Sequence, residues 1–109
     1  MQLSLTVRGV EVDGGLRSRV ADRLGAILEK YFVTAIEAHV VFSKEAHLDR
    51  VDISLHIGRR IVVNAAASAS DLPAAFDAAA DRLGKQLRRS KRRLREHHAR
   101  QGAGERAEG

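Results

Sequence analysis

The sequence predicts an α+β fold: a four-stranded sheet with two helices packed on one face, in the order β-α-β-β-β-α. Two kinds of pattern and one size limit lead to it. Four segments alternate apolar and polar residues, which one-sided burial of a strand requires. Two others repeat apolar residues with the 3.6-residue period of an amphipathic helix. At 109 residues and 11.9 kDa, the chain can bury a single thin two-layer core.

Leu3, Leu5 and Val7 alternate with Gln2, Ser4 and Thr6, giving the first strand. Asp13 supplies an N-cap, and the helix behind it carries Leu16, Val20, Leu24, Ile27, Leu28 and Tyr31 at helical spacing, to about Tyr31 or Phe32. Ile36, Ala38, Val40 and Phe42 alternate in the second strand, and Val51, Ile53, Leu55 and Ile57 in the third. Gly58-Arg59-Arg60 reads as a hairpin turn into a fourth strand over Ile61–Ala67, and Ser68–Ser70 as a short polar break. Asp71 can cap the second helix, with Pro73 in its first turn. That helix carries Leu72, Phe76, Ala79, Ala80, Leu83, Leu87 and Leu94 and is expected to end near His98. Residues 1–98 then form one domain. Ala99–Gly109, with three glycines and no apolar residue larger than alanine, is expected to be a disordered tail.

The net charge of +5 is unevenly placed. Residues 1–54 carry seven basic and eight acidic side chains, whereas residues 55–109 carry twelve and six. Arg82, Lys85, Arg88, Arg89, Lys91, Arg92, Arg93 and Arg95 follow one another with no acid between them. At 100° per residue, Arg82, Lys85, Arg89, Arg92 and Arg93 fall opposite the apolar stripe, on a ridge about 15 Å long. Arg19, Arg23 and Lys30 recur opposite the stripe of the first helix. Side by side on the sheet, the two ridges would make one continuous cationic surface. Like-charge crowding without i,i+4 acid partners destabilises a free helix, so the segment calls for counter-charge from a polyanion. No helix-turn-helix or zinc module is present, and stacking aromatics in a nucleic-acid-binding pattern are absent, so shape and phosphate recognition of RNA is favoured. A general nucleic-acid binder and a protein-interaction module remain as alternatives.

Other chemistries find little support. Without cysteine there is no disulfide scaffold, thiolate zinc site or cysteine nucleophile. His39, His47, His56, His97 and His98 form no i,i+4 metal pair and read as surface or helix-end residues. No nucleophile elbow or phosphate-binding glycine loop occurs, so neither an enzyme, a cofactor nor a small-molecule substrate is expected. No apolar run reaches the roughly 20 residues that span a bilayer, and the basic helix lacks the apolar bulk for membrane binding. The first residues do not read as a signal peptide, making a cytoplasmic location the expectation.

Several strings then fall into a familiar order: Met1-Gln2-Leu3, Val10-Glu11-Val12, Val20-Ala21-Asp22-Arg23-Leu24, Leu28-Glu29-Lys30-Tyr31-Phe32, Ser43-Lys44-Glu45 and Asp81-Arg82-Leu83-Gly84-Lys85-Gln86-Leu87. Together they resemble the ribosome hibernation promoting factor family, also called ribosome-associated inhibitor A, over residues 1–98. The resemblance implies a β-α-β-β-β-α fold and no enzymatic activity. It implies binding to small-subunit rRNA in the channel where messenger and transfer RNAs sit, with translation blocked and the idle ribosome preserved. The family's basic positions fall on Arg23 and Lys30 in the first helix and on Arg82, Lys85, Arg89 and Lys91 in the second. Arg92 joins them from the charge ridge. Pro73 and Arg59-Arg60 depart from the family pattern, the first standing where an aromatic is frequent and the second replacing a Gly/Asn-rich turn. The short chain resembles the hibernation promoting type that works alongside a separate ribosome modulation factor and can promote ribosome dimerisation.

Overall fold

Six elements appear in the computed structural model: β1 (Gln2–Val7), α1 (Gly14–Lys30), β2 (Glu37–Glu45), β3 (Leu48–His56), β4 (Val62–Ala69) and α2 (Leu72–Glu108). It describes residues 1–58 and 60–108, with side chains described up to residue 90. The sheet order is β1-β2-β3-β4. β1 pairs parallel with β2 (Leu3 beside Ala38), and β2, β3 and β4 form an antiparallel meander. The mixed sheet follows from chain length. A seventeen-residue helix separates β1 from β2 and permits a parallel return, whereas short loops join the others and enforce antiparallel pairing.

One sheet face carries the core. Ala38, Val40 and Phe42 of β2, Val51, Ile53 and Leu55 of β3, and Val63 and Ala67 of β4 are buried against Val20, Leu24 and Ile27 of α1 and Phe76, Ala79, Ala80, Leu83 and Leu87 of α2. Small residues let α2 approach: Ala75, Ala79 and Ala80 are fully covered, leaving Phe76 and Phe42 to fill the space between layers. β1 is less well covered. Leu3 and Leu5 are half-buried, and Val7 is exposed at the strand's end.

Local chemistry sets the ends of the elements. The Asp13 carboxylate accepts from Gly15 N at 2.8 Å and caps α1. Asp71 does the same for α2, accepting from Ala74 N at 2.8 Å, so Pro73 sits in a turn whose N–H groups have no helical partner. α1 ends in a Schellman motif: Phe32 N donates to Glu29 O at 3.2 Å and Val33 N to Leu28 O at 2.9 Å. That motif needs a left-handed residue, and Phe32 takes the position with φ 54°.

The structure departs from the sequence reading in a few places. Ile36 precedes β2 rather than joining its inward row, and is exposed. β4 starts at Val62 and runs through Ser68 and Ala69, because both pair with β3 (opposite Arg50 and Asp49) and no break is needed. The helical backbone of α2 continues to Glu108, past the expected end at His98 and through most of the tail expected to be disordered. Ala99–Glu108 contains no proline, and its alanines, glutamates, glutamine and arginines favour a helix, against a cost of about 1 kcal/mol at each of Gly102 and Gly104. Arg59 of the expected hairpin turn lies outside the described residues. Around it, Ile57 N donates to Ile61 O at 3.0 Å, closing the connection.

Ala46, at the two-residue turn between β2 and β3, has φ 56°. A Cβ in that region costs about 1–2 kcal/mol, partly offset by the entropy a glycine would lose on folding. Ala46→Gly should therefore raise the unfolding free energy by about 0.5–1 kcal/mol, read as a higher denaturant midpoint with an unchanged slope.

Candidate nucleic-acid interface

Burial of Leu83 and Leu87 against the sheet fixes the rotation of α2. With 3.6 residues per turn, Lys85 must then stand on the opposite side, with Arg88 flanking it toward α1 and Arg82 and Arg89 toward β4. All four are exposed.

Two grooves run along the flanks of this ridge. The first, about 430 Å³, lies between the helices and is lined by Arg23, Lys30 and Tyr31 of the α1 end and Asp81, Lys85 and Arg88 of α2. The second, about 260 Å³, lies between α2 and β4 and is lined by Asn64, Arg82, Lys85, Gln86 and Arg89. Lys85 borders both. Gly84 is buried at the seam between the helices and lines this groove beside Tyr31, whose ring an ideal Cβ at position 84 would meet at 3.5 Å, an ordinary van der Waals contact. Lys30 Nζ stands 5.5 Å from the centroid of that ring, within cation–π range.

The cations do not all project freely. Arg23 Nη2 donates to Asp81 Oδ1 at 2.7 Å, and Arg19 Nη2 to Asp77 Oδ2 at 3.2 Å, so two of the four α1 cations span the helix seam. Asp22 and Glu29 are exposed on α1 as well. The single cationic sheet across both helices thus contracts to a surface centred on α2. Arg82 is also tied to the sheet. Its Nη1 donates to Ala66 O at 2.6 Å, occupying a carbonyl on edge strand β4. Lys85, Arg88 and Arg89 make no ion pair with any described residue.

The structure therefore brings Arg23, Lys30 and Lys85 to one groove and Arg82, Lys85 and Arg89 to the other. The side chains of Lys91 and Arg92 lie outside the described residues. Arg88 is the residue that sequence reasoning passed over. It belongs to the same acid-free run and lies about 120° from the apolar stripe, as far as Arg82 does but on the side that faces α1. Only the position of α1 gives it a groove to line.

The opposite sheet face has a different character. Arg50 donates to both oxygens of Asp52 (3.0 and 3.1 Å) and to Glu45 Oε2 at 2.7 Å, and Ser68 Oγ donates to the same Glu45 oxygen at 3.0 Å. The hydrogen bonds from Arg50 and Ser68 and the Arg50 charge hold the Glu45 carboxyl below its usual range, and these carboxylates raise the Arg50 guanidinium further. His39 Nε2 lies 2.6 Å from Glu37 Oε1 and meets His56 edge-on, ring centroids 6.3 Å apart. Among the described residues, no three potential metal-ligating side chains converge, and no helix is long and apolar enough to cross a membrane.

The family model for the Sigma 54 modulation protein / S30EA ribosomal protein matches residues 3–95. The chain belongs to this family. Among S30EA relatives, the ribosome hibernation promotion factor of Bradyrhizobium diazoefficiens is 36% identical over 100 residues, covering 92% of this chain and 49% of the relative. That of Rhizobium meliloti is 31% identical over 98 residues, covering 90% and 52%. The chain thus spans about half the length of these rhizobial relatives. The ribosome hibernation promoting factor of Salmonella typhimurium is 35% identical over 97 residues and is covered completely, with 89% of this chain aligned. The S30EA fold also agrees with the N-terminal domain of Thermus thermophilus Protein Y, with a TM-score of 0.68, 27% identity, and 82% and 98% of the two chains covered.

Two measurements check these electrostatic assignments. Asp81→Asn releases Arg23 from its partner, so RNA affinity should rise and the dependence of log K on log salt should steepen by nearly one unit. Because the pair is exposed, stability should change by less than about 1 kcal/mol. NMR titration should place the Glu45 carboxyl below the ordinary glutamate range, and Arg50→Gln should return it toward that range. The linked stability is present above the unfolded-state pKa and is lost as pH falls through the lowered folded value.

Proposed function

We propose that this protein is a ribosome hibernation factor that binds the small ribosomal subunit through the α2 surface. Its seat there is the channel used by messenger and transfer RNA, where it blocks translation and preserves the idle ribosome. The observation that carries the proposal is the α2 ridge itself: Lys85 borders two grooves, and Arg88 and Arg89 flank it with no acid partner among the described residues. Two grooves on either side of one helix suit an RNA fold that presents phosphates on converging strands. Membership of a family with hibernation factors supports the ribosome as the source of that RNA. The protein acts by occupancy rather than by chemistry, and it works in the cytoplasm with its target.

A general RNA binder would use the same cations but would not distinguish an assembled subunit from an arbitrary duplex. The rigidity of the layer favours the specific target. Lys85, Arg88 and Arg89 are carried on a helix packed through fully buried Leu83 and Leu87, so their spacing does not adapt to any polyanion.

The test replaces Lys85, Arg88 and Arg89 together by glutamine, leaving Arg82 to hold β4. Each lost phosphate contact should cost about 1 kcal/mol and flatten the salt dependence by nearly one unit. The triple variant should co-sediment with small subunits on the order of 100-fold more weakly and lose inhibition in an in vitro translation assay, while its melting temperature is kept. Undiminished inhibition would remove α2 from the interface. Equal wild-type affinity for arbitrary duplex RNA at physiological salt would favour the general binder.

A further inference from the structure

We infer that the groove between α2 and β4 reads one unpaired nucleobase of the bound RNA, through the backbone N–H and C=O of Asn64 and the Gln86 carboxamide; this rests on the proposed RNA-binding function. Backbone direction alternates along the paired strands. Ile36 N donates to His56 O at 2.8 Å and Ile57 N to Ile61 O at 3.0 Å, so His56 faces β2 and Ile57 faces β4. By the same alternation Leu55 and Ile53 bond to Val63 and Ala65, opposite them in register. Asn64 and Ala66 then turn their N–H and C=O away from β3, off the edge of the sheet. Arg82 Nη1 meets Ala66 O on that outer side, at 2.6 Å.

This arginine also limits what the edge can take. With Ala66 O occupied, an extended peptide cannot pair continuously along β4. The donor and acceptor of Asn64 stay open, one residue wide. A nucleobase edge offers the complementary acceptor and donor side by side. Gln86, exposed on the helical wall of the groove, adds a second donor and acceptor that no described residue engages. Lys85 and Arg89 line the same groove and hold the phosphates on either side of the base. The interhelical groove has neither a strand edge nor a carboxamide along it. The two sides of the ridge therefore differ: phosphates on one, phosphates and a base on the other.

The experiment compares wild type, Asn64→Pro, Asn64→Ala and Gln86→Ala for melting temperature and for binding to purified small subunits across a salt series. Proline removes the outward N–H without breaking a ladder bond, which an edge strand tolerates. Asn64→Pro and Gln86→Ala should each bind about tenfold more weakly, with the salt slope of wild type because no phosphate contact is lost. Asn64→Ala keeps the backbone pair and should bind within about twofold of wild type. Base-specific chemical probing of the ribosomal RNA, at saturating protein, should find a base shielded by wild type and Asn64→Ala but reactive with the other two. Gln86 is exposed on a helix, so its variant carries the test even if Asn64→Pro unfolds.

Wild-type affinity and shielding in Gln86→Ala would overturn the inference while leaving the proposed function standing. So would a flattened salt slope in that variant, which would make Gln86 a phosphate contact. Weaker binding with no base shielded by wild type would put a protein strand on the β4 edge and overturn it equally. A wild-type protein that fails to bind small subunits would remove the proposed function, and the base site with it.

Discussion

The apolar contact between α2 and the β3–β4 half of the sheet is the constraint from which the surface follows. Phe76, Ala79, Ala80, Leu83 and Leu87 are fully buried, and their stripe admits only one rotation of the helix. Turning α2 by one residue would expose leucine and drive an arginine or lysine toward Val51 and Ile53, a desolvation cost far above that of any surface contact. The direction of every described α2 cation is therefore set by hydrophobic burial. Rigidity comes with it, since alanine at 75, 79 and 80 lets the backbone sit close to the strands and leaves little room for rocking.

Given that rotation, charge has to be managed at the seam. Two helices whose neighbouring flanks both carry arginine would repel at close range. Asp77 and Asp81 stand one turn apart on α2 and meet Arg19 and Arg23, also one turn apart on α1. Each pair is exposed and contributes at most about 1 kcal/mol, but the two convert a repulsive seam into a neutral one. The unpaired positive charge is thereby displaced to Lys85, Arg88 and Arg89. Arg17 and Arg82 act comparably at the sheet margins, donating to Leu3 O at 3.3 Å and to Ala66 O at 2.6 Å on the two edge strands. A basic side chain over an edge carbonyl discourages a further strand from pairing there.

Much of this was legible from residue patterns, and the parts that were not share a cause. Period-two alternation in β2 and β3, the Asp13 and Asp71 caps and the α2 stripe report local backbone geometry, and each reappears in the structure. The angular calculation likewise put Lys85 and Arg89 on the outer side. What sequence could not supply was the neighbour. Arg23 falls opposite its helix's apolar stripe, yet its guanidinium meets Asp81, 58 positions later. Arg82 belongs to the basic ridge, yet it reaches β4. Arg88 looked like a flank residue until α1 gave that flank a groove. The same holds for Phe32. Aromatic at a helix end is an ordinary pattern, and its left-handed φ and exposure emerge only once the Schellman motif closes. The tail is a different case: its glycines favour disorder and its alanines, glutamates and arginines favour a helix, and without a proline after His98 the helical backbone continues.

The two faces of the molecule also differ in how their charge is held. On the open sheet face Glu37, Glu45 and Asp52 stand against one guanidinium, that of Arg50, and the Arg50 charge is already shared between two of the three carboxylates. A polyanion finds there a closed network with a slight negative excess. Across the sheet, one layer away, Lys85, Arg88 and Arg89 are uncompensated by any described residue. The charge is thus separated across the thickness of a two-layer fold, and the field turns the molecule helix-side first toward a polyanion before any contact forms. Arg50 is paired on both sides, with Glu45 and Asp52, so its charge is already answered by carboxylates on the same face. Placing the helices on one face, which burial alone demanded, therefore also makes encounter with a polyanion directional.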